Sequence, residues 1–155
     1  MSNSNLTIRP ATIDDVVELR SFEQEVIRAE RPFAQDLADG PIRYYDIESL
    51  ISSDDCLLLV VESIDGLVGS GYARIEVNKP HFKGDFFAYL GFMFVTQGYR
   101  GKGVNGLVLK ALKEWSKSKG VRFLKLDVYQ GNTAAVKAYA KAGFTANLVE
   151  MVSEL

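Results

Sequence analysis

The sequence is poor in the side chains that carry most covalent and metal chemistry. Of 155 residues, one is a cysteine, Cys56, and one is a histidine, His81. A lone cysteine excludes an intrachain disulfide and any cysteine-rich zinc site. A lone histidine gives Ser-His-Asp catalysis and histidine-rich metal sites little to build from, so no metal is expected. The chain lacks internal repeats, low-complexity tracts and a recognisable linker, which points to one domain over residues 1–155. It also lacks an apolar run of the roughly 18 residues that a membrane helix needs. Its first residues, Met1 to Asn5, are polar and uncharged, unlike a secretory or transit peptide. A cytoplasmic protein with no membrane partner is the expectation. What is present, 47% hydrophobic and 25% charged residues, is the composition of an ordinary globular domain. At this length such a domain buries roughly 70% of its unfolded surface.

The net charge is only −2, but it is unevenly spread. The first 66 residues hold 14 acidic against 5 basic side chains, whereas Arg100 to Lys125 holds 8 basic residues against the single Glu114. An anionic ligand on the basic segment and a cationic one on the acidic part would fit that asymmetry. Lys110, Lys113, Lys117 and Lys119 read as a solvated helix face. Nucleic acid is not expected, because the total balance is acidic and no aromatic residues interleave the lysines.

Hydrophobic spacing sets out the elements. Asn5–Arg9 reads as a short strand. Thr12 heads a capping box, followed by Ile13, Val16, Leu19, Phe22 and Val26 at helical spacing to about Arg31. A short helix is expected from Arg43 to Ser52. Leu57–Glu62 and Val68–Val77 are strands joined by an Asp65-Gly66 turn, and Phe86–Val95 is a third. Gly103–Lys119 is an amphipathic helix with Val104, Leu107, Val108, Ala111, Leu112 and Trp115 on one face. Arg122–Val128 is a strand, Thr133–Ala142 a helix stopped by Gly143, and Phe144–Glu154 a last strand. Three antiparallel strands followed by alternating strand and helix give a mixed sheet in an α+β or α/β domain.

The chemistry-bearing segment is Thr96-Gln97-Gly98-Tyr99-Arg100-Gly101-Lys102-Gly103-Val104-Asn105-Gly106, between a strand and a helix start. Glycines let backbone N–H groups approach a ligand, and the helix start adds unpaired donors and a positive dipole end. Together with Arg100 and Lys102 this is a phosphate site. Gly101 to Gly106 also spells G-x-G-x-x-G, with Asp127 about 20 residues on, as in a dinucleotide fingerprint. That fold needs several further parallel strands, and the chain has too few. A Walker A loop is excluded because no Ser or Thr follows Lys102.

At these residues the chain resembles the GNAT superfamily of acyl-CoA-dependent N-acetyltransferases. Val95 to Val104, with Tyr99-Arg100-Gly101-Lys102-Gly103 at its centre, is similar to the family's pyrophosphate motif Q/R-x-x-G-x-G/A. Leu126-Asp127-Val128, Asn132, Ala135, Tyr139 and Gly143-Phe144 resemble its other signature block, and Ile8-Arg9-Pro10-Ala11 its opening strand. Asn105 departs from the pattern, which has Gly or Ala there; Gly106 is its neighbour. The resemblance implies a GNAT-like α+β fold layered α/β/α, with a mixed, mostly antiparallel sheet of six to seven strands and about four helices. It implies acetyl-CoA as acyl donor and an amine as acceptor, by direct attack in a ternary complex.

The resemblance also distributes roles. Backbone amides of Arg100, Gly101, Lys102, Gly103, Val104, Asn105 and Gly106 would hold the pyrophosphate. Met93, Phe94 and Val95 would offer a strand edge to the pantetheine arm, with a free N–H near Phe94 or Val95 polarising the thioester carbonyl. Asn132 would bond the arm, and Tyr139, two helical turns on, would protonate the departing thiolate. Tyr89 stands near the place of the fourth-strand glutamate that serves some members as base. Asp127 stands where others carry a fifth-strand glutamate, so Asp127 is the candidate base, acting through water. Glu23, Glu25, Glu30, Asp36 and Asp39 lie where the family forms its acceptor wall, which favours a cationic amine. Cys56 reads as a strand core residue, His81 as solvent-facing and Trp115 as core. The short C-terminal edge of the sheet points to a homodimer. The alternative function is a non-catalytic acyl-CoA-binding or regulatory module.

Overall fold

The computed structural model describes residues 5–155. Its strands and α-helices run in the order β1 (Thr7–Pro10), α1 (Val16–Glu30), α2 (Ile47–Ser52), β2 (Cys56–Ser63), β3 (Gly66–Val77), β4 (Phe86–Val95), α3 (Val104–Ser118), β5 (Leu124–Lys125) and α4 (Thr133–Lys141). The strands form one sheet in the order β1-β2-β3-β4-β5. Its first three pairings are antiparallel and the β4–β5 pairing is parallel.

The continuous apolar run of β2 is explained by burial on both faces. Leu58 and Val60 pack with Leu19, Phe22, Ile47, Leu50 and Tyr72 under α1 and α2. Leu59 and Val61 pack with Val68, Ala73, Val104, Val108 and Leu112 under α3. The domain is thus an α/β/α sandwich, as the resemblance implies, with five strands instead of six to seven. At the start of α1, the expected capping box has one strong arm: the Thr12 N–H donates to Asp15 Oδ2 at 2.7 Å. Asp15 also takes a bidentate pair from Arg9 at 2.8 and 2.9 Å, tying α1 to β1.

Several expectations need correction. The last strand, Phe144–Glu154, does not form: among the described residues its backbone joins no ladder, and a strand needs a paired edge. The fifth strand shrinks from Arg122–Val128 to Leu124–Lys125, since β5 keeps company with β4 only at Ala88 and Tyr89. The helix expected from Arg43 starts at Ile47, after Asp46 caps it by accepting from the Ser49 N–H. On α3, Leu107 is 41% exposed and Leu109 is buried in its place. Ile13 sits in a 3₁₀ turn ahead of α1 and is exposed.

Two local devices set up the functional side of the sheet. Gly69 and Gly71 of β3 have no side chain, and a Cβ on either would lie 2.6–2.7 Å from Val104 or Val108. These glycines let the first turns of α3 settle directly on the sheet. The second device is a bulge in β4, where Gly71 alone faces Phe92 and Met93. Phe92 carries it with φ of 54°, rare for a residue with a Cβ, and the buried Ser70 hydroxyl donates to its carbonyl at 2.9 Å. The extra residue flips the alternation. Leu90 faces α3, Phe92 and Phe94 face α1 and α2, and Met93 and Val95 turn back toward the α3 side.

Candidate active site between β4 and α4

Among the described residues β4 has no strand beside it on the β5 side beyond Tyr89, so the sheet opens there. The open part of β4 runs from Leu90 to Val95. At its end the Thr96 N–H donates to Val68 O on β3. By the two-residue alternation of the ladder, Phe94 turns its N–H toward β3, and Val95 turns its N–H and C=O into the opening. Arg100 Nε donates to that Val95 carbonyl at 3.1 Å from the open side, in keeping with this.

The opening is a cleft of about 450 Å³ lined by Ala29, Phe33, Met93, Val95, Arg100, Asn105, Asn132, Ala135, Ala138 and Tyr139. Six residues singled out in the sequence therefore meet in one place: Met93, Val95, Arg100, Asn105, Asn132 and Tyr139. The side chain of Phe94 does not; it is buried with its ring 4.6 Å from Phe22, so only its backbone belongs to this edge.

At one end of the cleft the chain turns from β4 into α3. Gly101 and Gly103 have φ of 76° and 82°, a left-handed conformation that glycine adopts without steric cost. The backbone N–H groups of Gly101, Gly103, Val104, Asn105 and Gly106 donate no hydrogen bond within the described residues; the first α3 contact of this kind is Leu107 N–H to Gly103 O. Five donors, a helix N-terminus and an open approach at Gly101 and Gly106 make a cradle that suits a phosphate. Lys102 lies with its ammonium 5.1 Å from the Tyr99 ring centre, and the Tyr99 hydroxyl donates to Asp65 at 2.6 Å. Those contacts anchor the turn to the β2–β3 hairpin. The cradle and the free β4 edge fit a nucleotide-linked thioester such as acetyl-CoA.

Asn132 and Tyr139 face the cleft from α4. Asn132 is the cap of that helix, its Oδ1 accepting from the Ala135 N–H at 3.3 Å. This fixes the side chain at the wall of the cleft. Ala135 and Ala138 are small, which keeps the wall between Asn132 and Tyr139 open. Burial pushes the Tyr139 phenol up to about 12, with a smaller contribution from Glu30, so it stays protonated through neutral pH. Its ring packs edge-on to Phe144 at 5.9 Å.

Asp127 does not line this cleft. It is exposed just past β5 and accepts from the Tyr89 hydroxyl at 3.1 Å. Burial and the Asp127 charge both hold the Tyr89 phenol well above the usual tyrosine range. The two residues singled out for the family's base positions are thus partners of each other.

The acidic residues of the acceptor wall separate into distinct jobs. Glu23 is 1% exposed and accepts the N–H groups of Tyr44 and Tyr45 at 2.9 and 2.7 Å, so it fastens the segment before α2 to α1. Glu30 stands two turns on, at the end of α1. It makes no ion pair among the described residues, and burial raises its carboxyl above the usual range, tempered by the nearby Tyr44 hydroxyl. The Tyr44 hydroxyl is buried without a hydrogen bond of ordinary geometry. Burial, Glu30 and Tyr129 all push its phenol up. Sequence reading named Glu30 for the acceptor wall but missed its neighbours Tyr44 and Tyr129, as well as Ala29 and Phe33. Only Glu30 carried a signal, as one acidic residue among many.

Cys56 opens β2, buried as expected, and burial pushes its thiol up to about 11, which leaves it a poor nucleophile. His81 is exposed beside Phe82. Among the described residues no cluster of His, Cys, Asp and Glu is arranged to hold a metal ion, and no helix is long and apolar enough to cross a membrane.

Comparison with known proteins agrees with this geometry. The uncharacterized N-acetyltransferase YobR of Bacillus subtilis is 38% identical over 135 residues, covering 86% of this chain and 44% of that protein. The chain therefore spans less than half the length of that relative. The crystal structure of a mutant BH1408 protein from Bacillus halodurans superposes with a TM-score of 0.86 at 20% identity, covering 96% of this chain and 99% of the other. A predicted acetyltransferase from Clostridium acetobutylicum, crystallised with acetyl-CoA, gives 0.73 at 16% identity, with 95% and 96% covered. The model described as the Acetyltransferase (GNAT) family matches residues 15–144, which takes in α1, the bulged strand, the glycine turn and α4. The chain belongs to the GNAT acetyltransferase family.

Proposed function

We propose that this protein transfers the acetyl group of acetyl-CoA to a primary amine by direct attack in a ternary complex. The observation that carries the reading is the junction of an unpaired β4 edge with a turn presenting five undonated N–H groups, faced by Asn132 and Tyr139. Acetyl-CoA would supply the activated thioester. The amides from Arg100 to Gly106 would hold its pyrophosphate, with charge from Arg100 and Lys102. Met93 to Val95 would pair with the pantetheine arm, and the Asn132 amide would bond it from the other wall. The Val95 N–H, aimed into the cleft, would donate to the carbonyl oxygen as negative charge develops there.

The bookkeeping of the reaction is short. Asp127, which stands outside the cleft lining beside Tyr89, takes a proton from the ammonium by way of water, which frees the nitrogen lone pair. The C–N bond forms at the carbonyl carbon as the C–S bond breaks, Tyr139 gives its proton to the leaving sulfur, and the second proton of the attacking nitrogen passes to solvent. Solvent then returns Asp127 and Tyr139 to their starting states. Glu30, a carboxylate with no ion pair among the described residues and with three phenols near it, favours an acceptor that carries positive charge: a polyamine, a lysine or a peptide N-terminus. The lone buried thiol and the dependence on acetyl-CoA support a cytoplasmic protein, and we read it as a homodimer.

The test is thiol release from acetyl-CoA across a panel of amines, beside a thermal-shift titration. Acetyl-CoA at about 100 times its dissociation constant should stabilise the fold by about 2.7 kcal/mol. Arg100→Ala with Lys102→Ala should remove most of that shift. Binding with no thiol release for any amine would make the protein an acyl-CoA-binding module instead.

A further inference from the structure

A turn built on glycine has to be held from outside. Gly101 and Gly103 both take positive φ, and a glycine backbone has many other conformations open to it. On the α3 side the turn is seated by the buried Val104 and by the Leu107 N–H on Gly103 O. On the β4 side one 3₁₀ turn, Gln97–Tyr99, leads into it, with the Thr96 N–H on Val68 O and the Tyr99 N–H on Thr96 O. Tyr99 ends that turn, and its side chain reaches to the β2–β3 hairpin. There its hydroxyl donates to Asp65 Oδ2 at 2.6 Å, across 34 residues of sequence.

The hairpin closes without the Asp65 carboxylate. Ser63 Oγ accepts from the Asp65 N–H at 3.0 Å and donates to Gly66 O at 3.4 Å, while Gly66 takes the left-handed position with φ of 100°. Among the described residues the carboxylate accepts from Tyr99 alone. The ring it holds carries the Lys102 ammonium at 5.1 Å from its centre, and Lys102 stands between the two left-handed glycines. A carboxylate, a phenol and an ammonium thus run in file from the hairpin to the turn. The geometry points to Asp65 as a positioning residue for acetyl-CoA: by fixing the Tyr99 ring it sets where the glycine turn rests and where the Lys102 charge meets the pyrophosphate. This rests on the proposed use of the turn as the pyrophosphate site. Asp65 acts through the phenol, because a carboxylate in direct contact would repel a phosphate. The bond lies at the surface, where water competes for both groups, so it matters more for the place of the turn than for folding.

Calorimetric titration of acetyl-CoA into the full chain tests this. Asp65→Ala should raise Kd about tenfold, Tyr99→Phe by about as much, and the double variant no further, because each change removes the same bond. Asp65→Asn keeps an oxygen that can accept from the phenol and should retain most of the affinity. Acetyl-pantetheine has the thioester and part of the arm but no pyrophosphate, so in an NMR titration it should bind the parent and Asp65→Ala alike. Urea midpoints of the parent and the variants should coincide. Unchanged acetyl-CoA affinity in Asp65→Ala overturns the proposal and leaves the cofactor site in place, as do losses that add in the double variant. Equal losses for acetyl-CoA and acetyl-pantetheine overturn it too, making the contact a general prop of the cleft. A parent that binds no acetyl-CoA removes the cofactor reading and this inference with it.

Discussion

The β2–β3 seam and the β4–β5 seam belong to one sheet and do opposite things. β2 and β3 face each other over eight residue pairs, with both faces covered. β4 and β5 meet over two pairs and then separate. In the first seam the ladder uses the backbone groups for the fold itself. In the second, N–H and C=O groups between Leu90 and Val95 remain on the open side, next to a glycine turn whose amides are likewise unspent. Stability is concentrated where the ladder is complete, and the proposed thioester site lies where it is left unfinished. Changes in the open seam should therefore alter activity with little effect on folding, and changes in the closed one should do the reverse.

The largest effect is expected in the open seam. Asp127→Asn should lower kcat by roughly 10²–10⁴-fold while acetyl-CoA affinity stays near that of the parent. Tyr139→Phe should lower kcat by about 10²-fold, also without loss of cofactor affinity. Because the Tyr139 phenol sits at about 12, the rate should show no loss of this donor as pH rises toward that value. Steady-state kinetics beside calorimetric binding checks all three. A fully active Asp127→Asn enzyme would sink the base assignment.

The next effect belongs to the closed seam. Gly71→Ala puts a Cβ 2.6 Å from both the Met93 sulfur and Val108, where β3 carries α3. It should destabilise the fold by about 1–3 kcal/mol in urea unfolding. Gly101→Ala meets nothing within 4 Å but forces a positive φ, so it should act chiefly on acetyl-CoA binding. Equal effects of the two changes on stability would erase the distinction between the seams.

How much of this was legible in the sequence follows the same division. The long strands, α1, α3, α4 and the glycine turn announce themselves, because hydrophobic period and glycine chemistry are local. The β4 bulge does not, since Phe92 gives no hint that it will sit at positive φ; that choice is forced by packing against Ser70 and Gly71. Asn132, Ala135 and Tyr139 share a face by helical spacing alone, and so their meeting was predictable. Asp127 could be placed beside a strand but not aimed, and its partner Tyr89 comes from another strand. Phe144 to Glu154 reads as a strand by composition, yet strand formation depends on an edge that the sequence does not locate.

A smaller effect tests the ion pair that ties β1 to α1. Arg9 holds the Asp15 carboxyl below the usual range by hydrogen bonding, so folding is favoured while that carboxylate is charged. The contribution is complete above the ordinary aspartate value of about 3.9 and is lost as pH falls through the depressed folded value. From neutral pH down to strongly acidic pH, the parent should lose about 1–2 kcal/mol more than Asp15→Asn does, read from unfolding at each pH. Parallel profiles would show that the pair contributes nothing.

The smallest expected effect comes from Glu30, which pairs the two kinds of region within one helix. Glu23 and Glu30 lie two turns apart on α1; the first is satisfied by two backbone N–H groups, the second by no cation among the described residues. Burial raises the Glu30 carboxyl, so its folded state binds protons more readily than the unfolded chain does. Stability must then decline as pH rises from the ordinary glutamate range through the raised value. Glu30→Gln removes that penalty and should stabilise the protein at neutral pH by about 0.5 kcal/mol, with no gain below the ordinary glutamate range. If the same carboxylate receives a cationic acceptor, the change should also raise KM for a linear alkyl diamine about threefold, a loss of about 0.65 kcal/mol. KM for aniline, which is uncharged at neutral pH, should not move. A stabilised variant with unaltered KM for both amines would leave Glu30 a strained carboxylate and shift the acceptor site away from the end of α1.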